Sequence, residues 1–227
     1  FKNSIDNISF LNGVRLNIAI EHDNEAFLKL KVKVRDKIVA DGLDSNEYNL
    51  DKNGVHVNAE KFNELLDDNK TITIDMRNHY ESEIGHFKGA KLPDVDTFRE
   101  SLPIINKKYD SYKKDKNILM YCTGGIRCEK ASAYLMNKGY KNVYQLDGGI
   151  IEYARQVKEK NIENKFIGKN FVFDNRRGER ISGDIISNCH QCGKKCDEHV
   201  NCNNEACHLL FIQCDECQKK YNGCCSD

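Results

Sequence analysis

The chain has 227 residues, and its 35 basic side chains balance its 35 acidic ones, so its formal net charge is zero. This length suits one or two domains with a real hydrophobic core. The charge balance excludes a globally basic nucleic-acid surface but allows a local patch, and the absence of any apolar run of membrane-spanning length excludes a transmembrane helix. The first residue is Phe1 rather than methionine. The natural N-terminus is therefore expected to lie upstream, and no remaining segment has the character of a signal peptide.

Taken in chain order, Val14–Ile20 alternates like a half-buried strand, as does Leu28–Val34. Two strands alone are marginal in water, so residues 1–45 read as part of a small α+β domain whose first half is absent. Asp41–Gly54, rich in Asp, Asn and Gly, reads as a linker. Residues 46–162 alternate between helical and strand patterns. Asn58 can cap a helix over Ala59–Asp67, Thr71–Asp75 is a strand, and Asp96–Ile105 predicts a helix broken at Pro103. Ile118–Tyr121 is a strand, followed after a short loop by a helix over Glu129–Lys138. Val143–Leu146 is a further strand ended by Asp147-Gly148-Gly149, and Ile150–Lys158 is the last helix of this unit. Short apolar strands between helices predict an α/β fold, a parallel sheet flanked by helices, with its site beyond the carboxyl ends of the strands. A connecting segment over 163–188 carries the extended stretch Phe166–Asp174, and a cysteine-rich tail occupies 189–227.

The loop after Ile118–Tyr121 carries the chemistry. It reads Cys122-Thr123-Gly124-Gly125-Ile126-Arg127-Cys128. A tight two-glycine turn entering a helix points its backbone N–H groups inward, beside the positive end of the helix. Those N–H groups and the Arg127 guanidinium favour thiolate over thiol at Cys122, which makes it the expected nucleophile. Only four residues separate Cys122 from Arg127, a ring too small for the phosphate cradle of cysteine phosphatases. Cys128 is either a resolving thiol that could pair with Cys122 or a small buried residue of the first helical turn. His86 reads as structural, and Gly148 and Gly149 as turn residues.

Nine of the eleven cysteines lie between Cys189 and Cys225. Behind an α/β unit with a thiolate-type loop, this density fits a reducing cytoplasm and metal ligation rather than disulfides. Cys189-x2-Cys192 and Cys214-x2-Cys217 form two knuckles, with Cys196, Cys202 and Cys207 between them. His199, His208, Cys224 and Cys225 are further possible ligands. The set suffices for two tetrahedral sites, and thiolate dominance selects structural zinc. Lys165, Lys169, Arg176, Arg177, Arg180, Lys194 and Lys195 flank this region. They are either phosphate contacts or an ordinary solvated surface.

Three separated motifs give the chain a family resemblance. Thr71-Ile-Thr-Ile-Asp-Met-Arg77, with Glu81 and Gly85-His-Phe-Lys-Gly-Ala90, resembles the first signature of the rhodanese domain. Cys122–Arg127 resembles its active loop, and Val143–Ile150 its closing signature. With Lys31–Val39, Cys122–Lys130, Gly168–Asp174 and the tail added, the pattern is similar to that of the oxygen-dependent tRNA uridine hydroxylases. The resemblance implies an acylphosphatase-like N-terminal piece, a rhodanese domain and a Cys-rich tail. It implies hydroxylation at carbon 5 of the wobble uridine, with tRNA as partner and molecular oxygen as co-substrate. It also implies that Asp75 helps hold the cysteine loop and that Arg77 faces the site. Two alternatives stay open. One is a sulfurtransferase passing a Cys122 persulfide from a small sulfur donor to a thiol, cyanide or carrier. The other is a non-catalytic zinc and partner-binding module. No flavin or nicotinamide fingerprint is present, and no two-histidine, one-carboxylate iron set stands out.

Overall fold

The computed structural model describes residues 2–14, 16–20, 32–44 and 46–226. A short helix α1 (Lys2–Asp6) opens the chain. Residues 16–20 and 32–34 take no strand conformation, so the strand expected over Val14–Ile20 is absent from its described part. Most of the strand expected over Leu28–Val34 lies outside the described residues. An extended segment needs a ladder neighbour to become a strand, and no described segment pairs with residues 16–20 or 32–34.

The central sheet contains β1 (Val55–Val57), β2 (Thr71–Asp75), β4 (Asn117–Tyr121) and β5 (Val143–Leu146), in the order β1-β5-β4-β2 with every pair parallel. Between β1 and β2 runs α2 (Ala59–Asp67), whose first free N–H groups are met by the Asn58 side chain accepting from Lys61 N at 2.9 Å. After β2 come α3 (His79–Glu83), β3 (Gly85–Phe87) and α4 (Phe98–Tyr109). α5 (Ile126–Asn137) follows β4, and α6 (Gly149–Lys160) follows β5.

Strand β4 fixes the layers. Ile118 and Met120 face a core completed by α4 and α5 through Phe98, Leu102, Ile105, Ala131 and Leu135. Leu119 and Tyr121 face the opposite core, built on Phe62, Phe87, Tyr153 and Phe166. The period-two alternation of a strand explains the division, and its burial on both faces explains why Ile118–Tyr121 reads as a continuous apolar run. The same parity sends Cys122 toward the α4–α5 side.

Three expectations are corrected by packing. α4 continues through Pro103 to Tyr109 instead of breaking there. The proline sits on the solvent face, where the Arg99 carbonyl it leaves unpaired can turn to water, while buried Leu102 and Ile105 hold the helix down. Asp41–Gly54 is not a free linker, because Leu43 joins the α4–α5 core and buried Asp41 accepts from Lys37 Nζ at 2.9 Å and Leu43 N at 3.0 Å. The Phe166–Asp174 stretch is a strand only over β6 (Phe166–Asn170).

β6 pairs antiparallel with β3, and with β7 (Glu179–Arg180) on its other side. β3 and β6 approach so closely that a side-chain carbon at Gly85 would stand 2.1 Å from Lys169 O, which is why glycine occupies that position. The tail adds a hairpin, β8 (His199–Asn201) with β9 (Leu210–Ile212), and a terminal α7 (Asp215–Lys220). Its small core packs Cys189, Cys196, Ile212 and Cys217 against Ile84 and Tyr80 beside β3. No helix among the described residues is long and apolar enough to cross a membrane.

Candidate active site and cysteine clusters

Cys122 sits where the sequence motif places a nucleophile, at the carboxyl end of β4 and ahead of α5, and it is only 1 % exposed. Two amides of α6 shape its loop: Ile150 N donates to Cys122 O at 3.0 Å and Ile151 N to Thr123 O at 3.2 Å. Gly149 has φ +67° and lies so near that a Cβ there would stand 2.5 Å from Cys122 O. The closing signature therefore acts as a backbone mould for the loop, which accounts for its paired glycines. With those carbonyls drawn toward α6, loop amides are free to serve the sulfur. Gly125, at φ 91°, donates its N–H to Cys122 Sγ at 3.2 Å.

The Cys122 thiol is lowered from an ordinary 9.0 to about 6. The largest cause is a hydrogen bond from the Cys128 thiol, working against the burial that disfavours charge. Arg127 and the amides of Arg127 and Cys128 add to it. Cys128 is itself fully buried and is pushed well above its usual range by burial and by its neighbour. It therefore stays protonated while Cys122 ionises. Replacing Cys128 with alanine is expected to move the midpoint of Cys122 alkylation upward from about 6, while Cys128→Ser, which keeps a donor, retains most of the shift. The pH dependence of iodoacetamide labelling measures this, and an unmoved midpoint in Cys128→Ala would remove the donor role.

Arg127 is locked by an acid to which the sequence reading gave no role. Its Nη1 and Nη2 meet Glu81 Oε1 and Oε2 at 2.5 and 2.8 Å, and Nη2 also reaches Thr123 Oγ1 at 3.3 Å. Glu81 is completely buried, and its Oε1 accepts from Asn78 N at 3.0 Å. The Asn78-x-x-Glu81 spacing of a capping box is the signal that could have drawn attention to it. Asp75 and Arg77 form a buried ion pair behind this assembly, with Arg77 Nη2 2.6 Å from Asp75 Oδ2 and 2.6 Å from Gly85 O. Arg77 does not face the cavity. It supports the α3–β3 turn that carries Glu81, and its Nη1 reaches Glu81 O at 3.4 Å. His86 has a structural contact, Nδ1 to Ser82 O at 2.8 Å.

Above Cys122 opens a cavity of about 540 Å³. It is lined by Thr123, Gly124, Ile126 and Arg127 of the loop, by Phe98 and Arg99 of α4, and by Ile38, Ile151 and Phe173. This volume lies within the roughly 300–1,000 Å³ of small-ligand sites.

Spacing alone left the tail ligands unassigned, but the fold sorts them. Cys189, Cys192, Cys214 and Cys217 bring four sulfurs together, and Cys202, Cys207 and Cys225 bring three, each set within 4.8 Å. Sulfur pairs lie at 3.6 Å (Cys192–Cys214) and 3.7 Å (Cys207–Cys225). A tetrahedral zinc–thiolate site needs an edge of about 3.8 Å, from Zn–S bonds of about 2.3 Å. The four-sulfur set therefore fits a tetrahedral metal ion such as zinc, and the three-sulfur set supplies three corners of a second. Cys196, His199, His208 and Cys224 fall outside both sets. Cys196 packs in the small core, and His199 is buried edge-on against Phe171, with burial lowering it to about 4. Most of the flanking basic residues already have partners inside the chain. Lys165 pairs with Asp67, Lys169 with Asp197 and Glu198, Arg176 with Asp174 and Glu179, Arg180 with Asp197, and Lys194 with Glu216, while Arg177 donates to His199 O.

A parallel sheet with a cysteine loop of this build defines a rhodanese-type domain. Residues 58–156 match the rhodanese-like domain family, and residues 167–227 match the family described as rhodanase C-terminal. Over 96 % of its length the chain is 56 % identical to a protein of Photorhabdus laumondii named tRNA uridine(34) hydroxylase. It is 58 % identical over 95 % of its length to a protein of that name from Pectobacterium carotovorum, and 56 % identical over 95 % to one from Yersinia pestis. Residues 58–156 thus carry a rhodanese-like domain, and the chain spans 61 % of the length of these relatives.

Proposed function

We propose that this chain is the rhodanese and C-terminal portion of a tRNA-modifying oxidoreductase that hydroxylates carbon 5 of the wobble uridine, with Cys122 as its nucleophile. The observation that carries the chemistry is a buried sulfur receiving the Gly125 N–H at 3.2 Å at the floor of an open cavity. The substrate rests on the relatives' name. A thiolate held this way can add to carbon 6 of a uracil ring. A C–S bond forms as the C5–C6 π electrons move onto carbon 5 and the carbonyl at carbon 4, so carbon 5 becomes electron-rich. Hydroxylation then places one oxygen atom of O2 on carbon 5. The other leaves as water, with two electrons from an external two-electron donor and two protons from solvent. Loss of the proton on carbon 5 then expels the Cys122 thiolate from carbon 6, which breaks the C–S bond and restores the C5–C6 double bond. Glu81 keeps Arg127 fixed at the loop, and the amides of Gly125, Arg127 and Cys128 hold the negative charge on sulfur between turnovers.

Mass spectrometry of tRNA nucleosides tests this reading. Cells carrying the gene should contain 5-hydroxyuridine-derived wobble nucleosides, and cells lacking it should not. Unchanged nucleosides, together with thiosulfate sulfurtransfer by the purified chain, would replace hydroxylation with sulfur transfer.

In the tail, zinc would be held by Cys189, Cys192, Cys214 and Cys217, and a second ion by Cys202, Cys207 and Cys225, both in a structural role. About forty residues enclose too small an apolar core to be stable alone, and metal–thiolate bonds supply the difference. Cys189→Ser should lower the zinc content by one equivalent and open the tail to proteolysis. Cys196→Ser should leave the zinc content unchanged. Elemental analysis of both variants decides this, and equal metal loss from the two would reject the ligand sets.

A further inference from the structure

We propose that Phe173 is the stacking platform for the target base in the Cys122 cavity, and that Arg99, which lines the same cavity, takes a neighbouring phosphate. This rests on the reading of the chain as a uridine-modifying enzyme and deepens it.

At the end of β6 three side chains are buried in succession, Asn170, Phe171 and Val172. Phe173 breaks the run, with 66 % of its surface exposed, although polar residues are available to cover an ordinary surface position. Its ring is nevertheless held in place, packed edge-on against buried Phe171 with centroids 5.2 Å apart and planes at 80°. An exposed ring held by a buried one keeps an open π-face at little entropic cost.

That ring lines the same cavity as Cys122, Thr123 and Gly124. Ile126, 42 % exposed, and Ile38, 79 % exposed, also line it, so the mouth is an apolar collar over a nucleophile. A flat, partly apolar heterocycle fits such a collar. A free-standing thiol or a thiosulfate ion does not need it.

Arg99 supplies the charge. It is exposed on the first turn of α4, and among the described residues it makes no hydrogen bond or ion pair. Arg127 cannot play that part, because Glu81 binds its guanidinium on both arms. The cavity thus places one guanidinium without a direct ion pair, one aromatic face and one nucleophile around a single space. A nucleotide presents the matching set: phosphate, base face and an electrophilic ring carbon.

The test uses this chain and a short anticodon stem-loop RNA with uridine at the wobble position, beside the same RNA lacking that one base. Fluorescence anisotropy gives the affinities. Phe173→Ala should weaken binding of the uridine RNA by tenfold or more, and Phe173→Trp should restore it to within about threefold, the range expected when one base stacks on one ring. The abasic RNA should bind the wild type and Phe173→Ala equally. Arg99→Gln should weaken both RNAs alike and flatten the salt dependence by about one phosphate contact. Equal affinity of wild type and Phe173→Ala for the uridine RNA would overturn the proposal while leaving the tRNA reading intact. Equal weakening of the uridine and abasic RNAs by Phe173→Ala would also overturn it, since the ring would then support the fold rather than the base. Wild-type protein without affinity for either RNA would overturn the proposal together with the tRNA reading on which it rests.

Discussion

On the proposed function, Cys122→Ser is expected to lower nucleoside hydroxylation by at least about a thousandfold while leaving the protein folded, because a hydroxyl in this cradle stays protonated and is a poor nucleophile. The wild-type sulfur, lowered to about 6, is about nine-tenths thiolate at pH 7, whereas a thiol at its ordinary 9.0 would be about one-hundredth thiolate. The sign of the pH dependence follows. Reactivity toward an alkylating agent should rise as pH climbs through about 6 and be flat from about 7 upward, and it should fall on acidification as Cys122 takes up a proton. Iodoacetamide labelling from pH 4 to 9, read by mass spectrometry at Cys122, checks the profile. A midpoint near 9, or full activity in Cys122→Ser, would end the assignment of Cys122 as the nucleophile.

The second large effect belongs to the Glu81–Arg127 pair. Glu81→Gln leaves a guanidinium, 13 % exposed, without its counter-charge inside the protein. Breaking one side of such a buried pair costs about 3–5 kcal/mol, which for a chain of this size lowers the melting temperature by roughly 6–20 °C. Arg127→Lys keeps the charge but gives up the planar fork that engages both oxygens of Glu81 and the Thr123 hydroxyl. It should lose most of its turnover with a smaller loss of stability, since one ion pair to Glu81 can still form. Thermal melts beside single-turnover assays separate the two outcomes. A Glu81→Gln variant that melts with the wild type would show that Glu81 does not hold the arginine in solution.

The parts of the molecule written in local pattern were open to sequence reading. Ala59–Asp67, Thr71–Asp75 and Val143–Leu146 fall at the expected residues, because capping by Asn58 and short apolar runs between turn signals act over a few positions. α5 begins three residues before the expected Glu129, since Ile126 enters the helix directly from a left-handed Gly125 and no polar cap marks the place. The strands β3, β8 and β9 have three residues each and pair only with distant segments, so periodicity over a window of several residues could not find them.

By itself, the sequence determined the class of the central fold, the place of Cys122 at the end of a strand, the loop Thr123–Arg127 that follows it, and a cysteine-rich tail suited to metal. Those are properties of residue type at fixed spacing, and spacing is written along the chain. The tertiary structure alone decided which cysteines meet, that Glu81 rather than solvent faces Arg127, that the Gly125 N–H reaches Cys122 Sγ, and that Arg77 turns inward onto Asp75 and Gly85. Each of these depends on where side chains point once separated segments have packed. Cys189 and Cys214 lie 25 positions apart, and Glu81 and Arg127 46, so only closure of the sheet and its covering strands brings their charges and sulfurs within bonding reach.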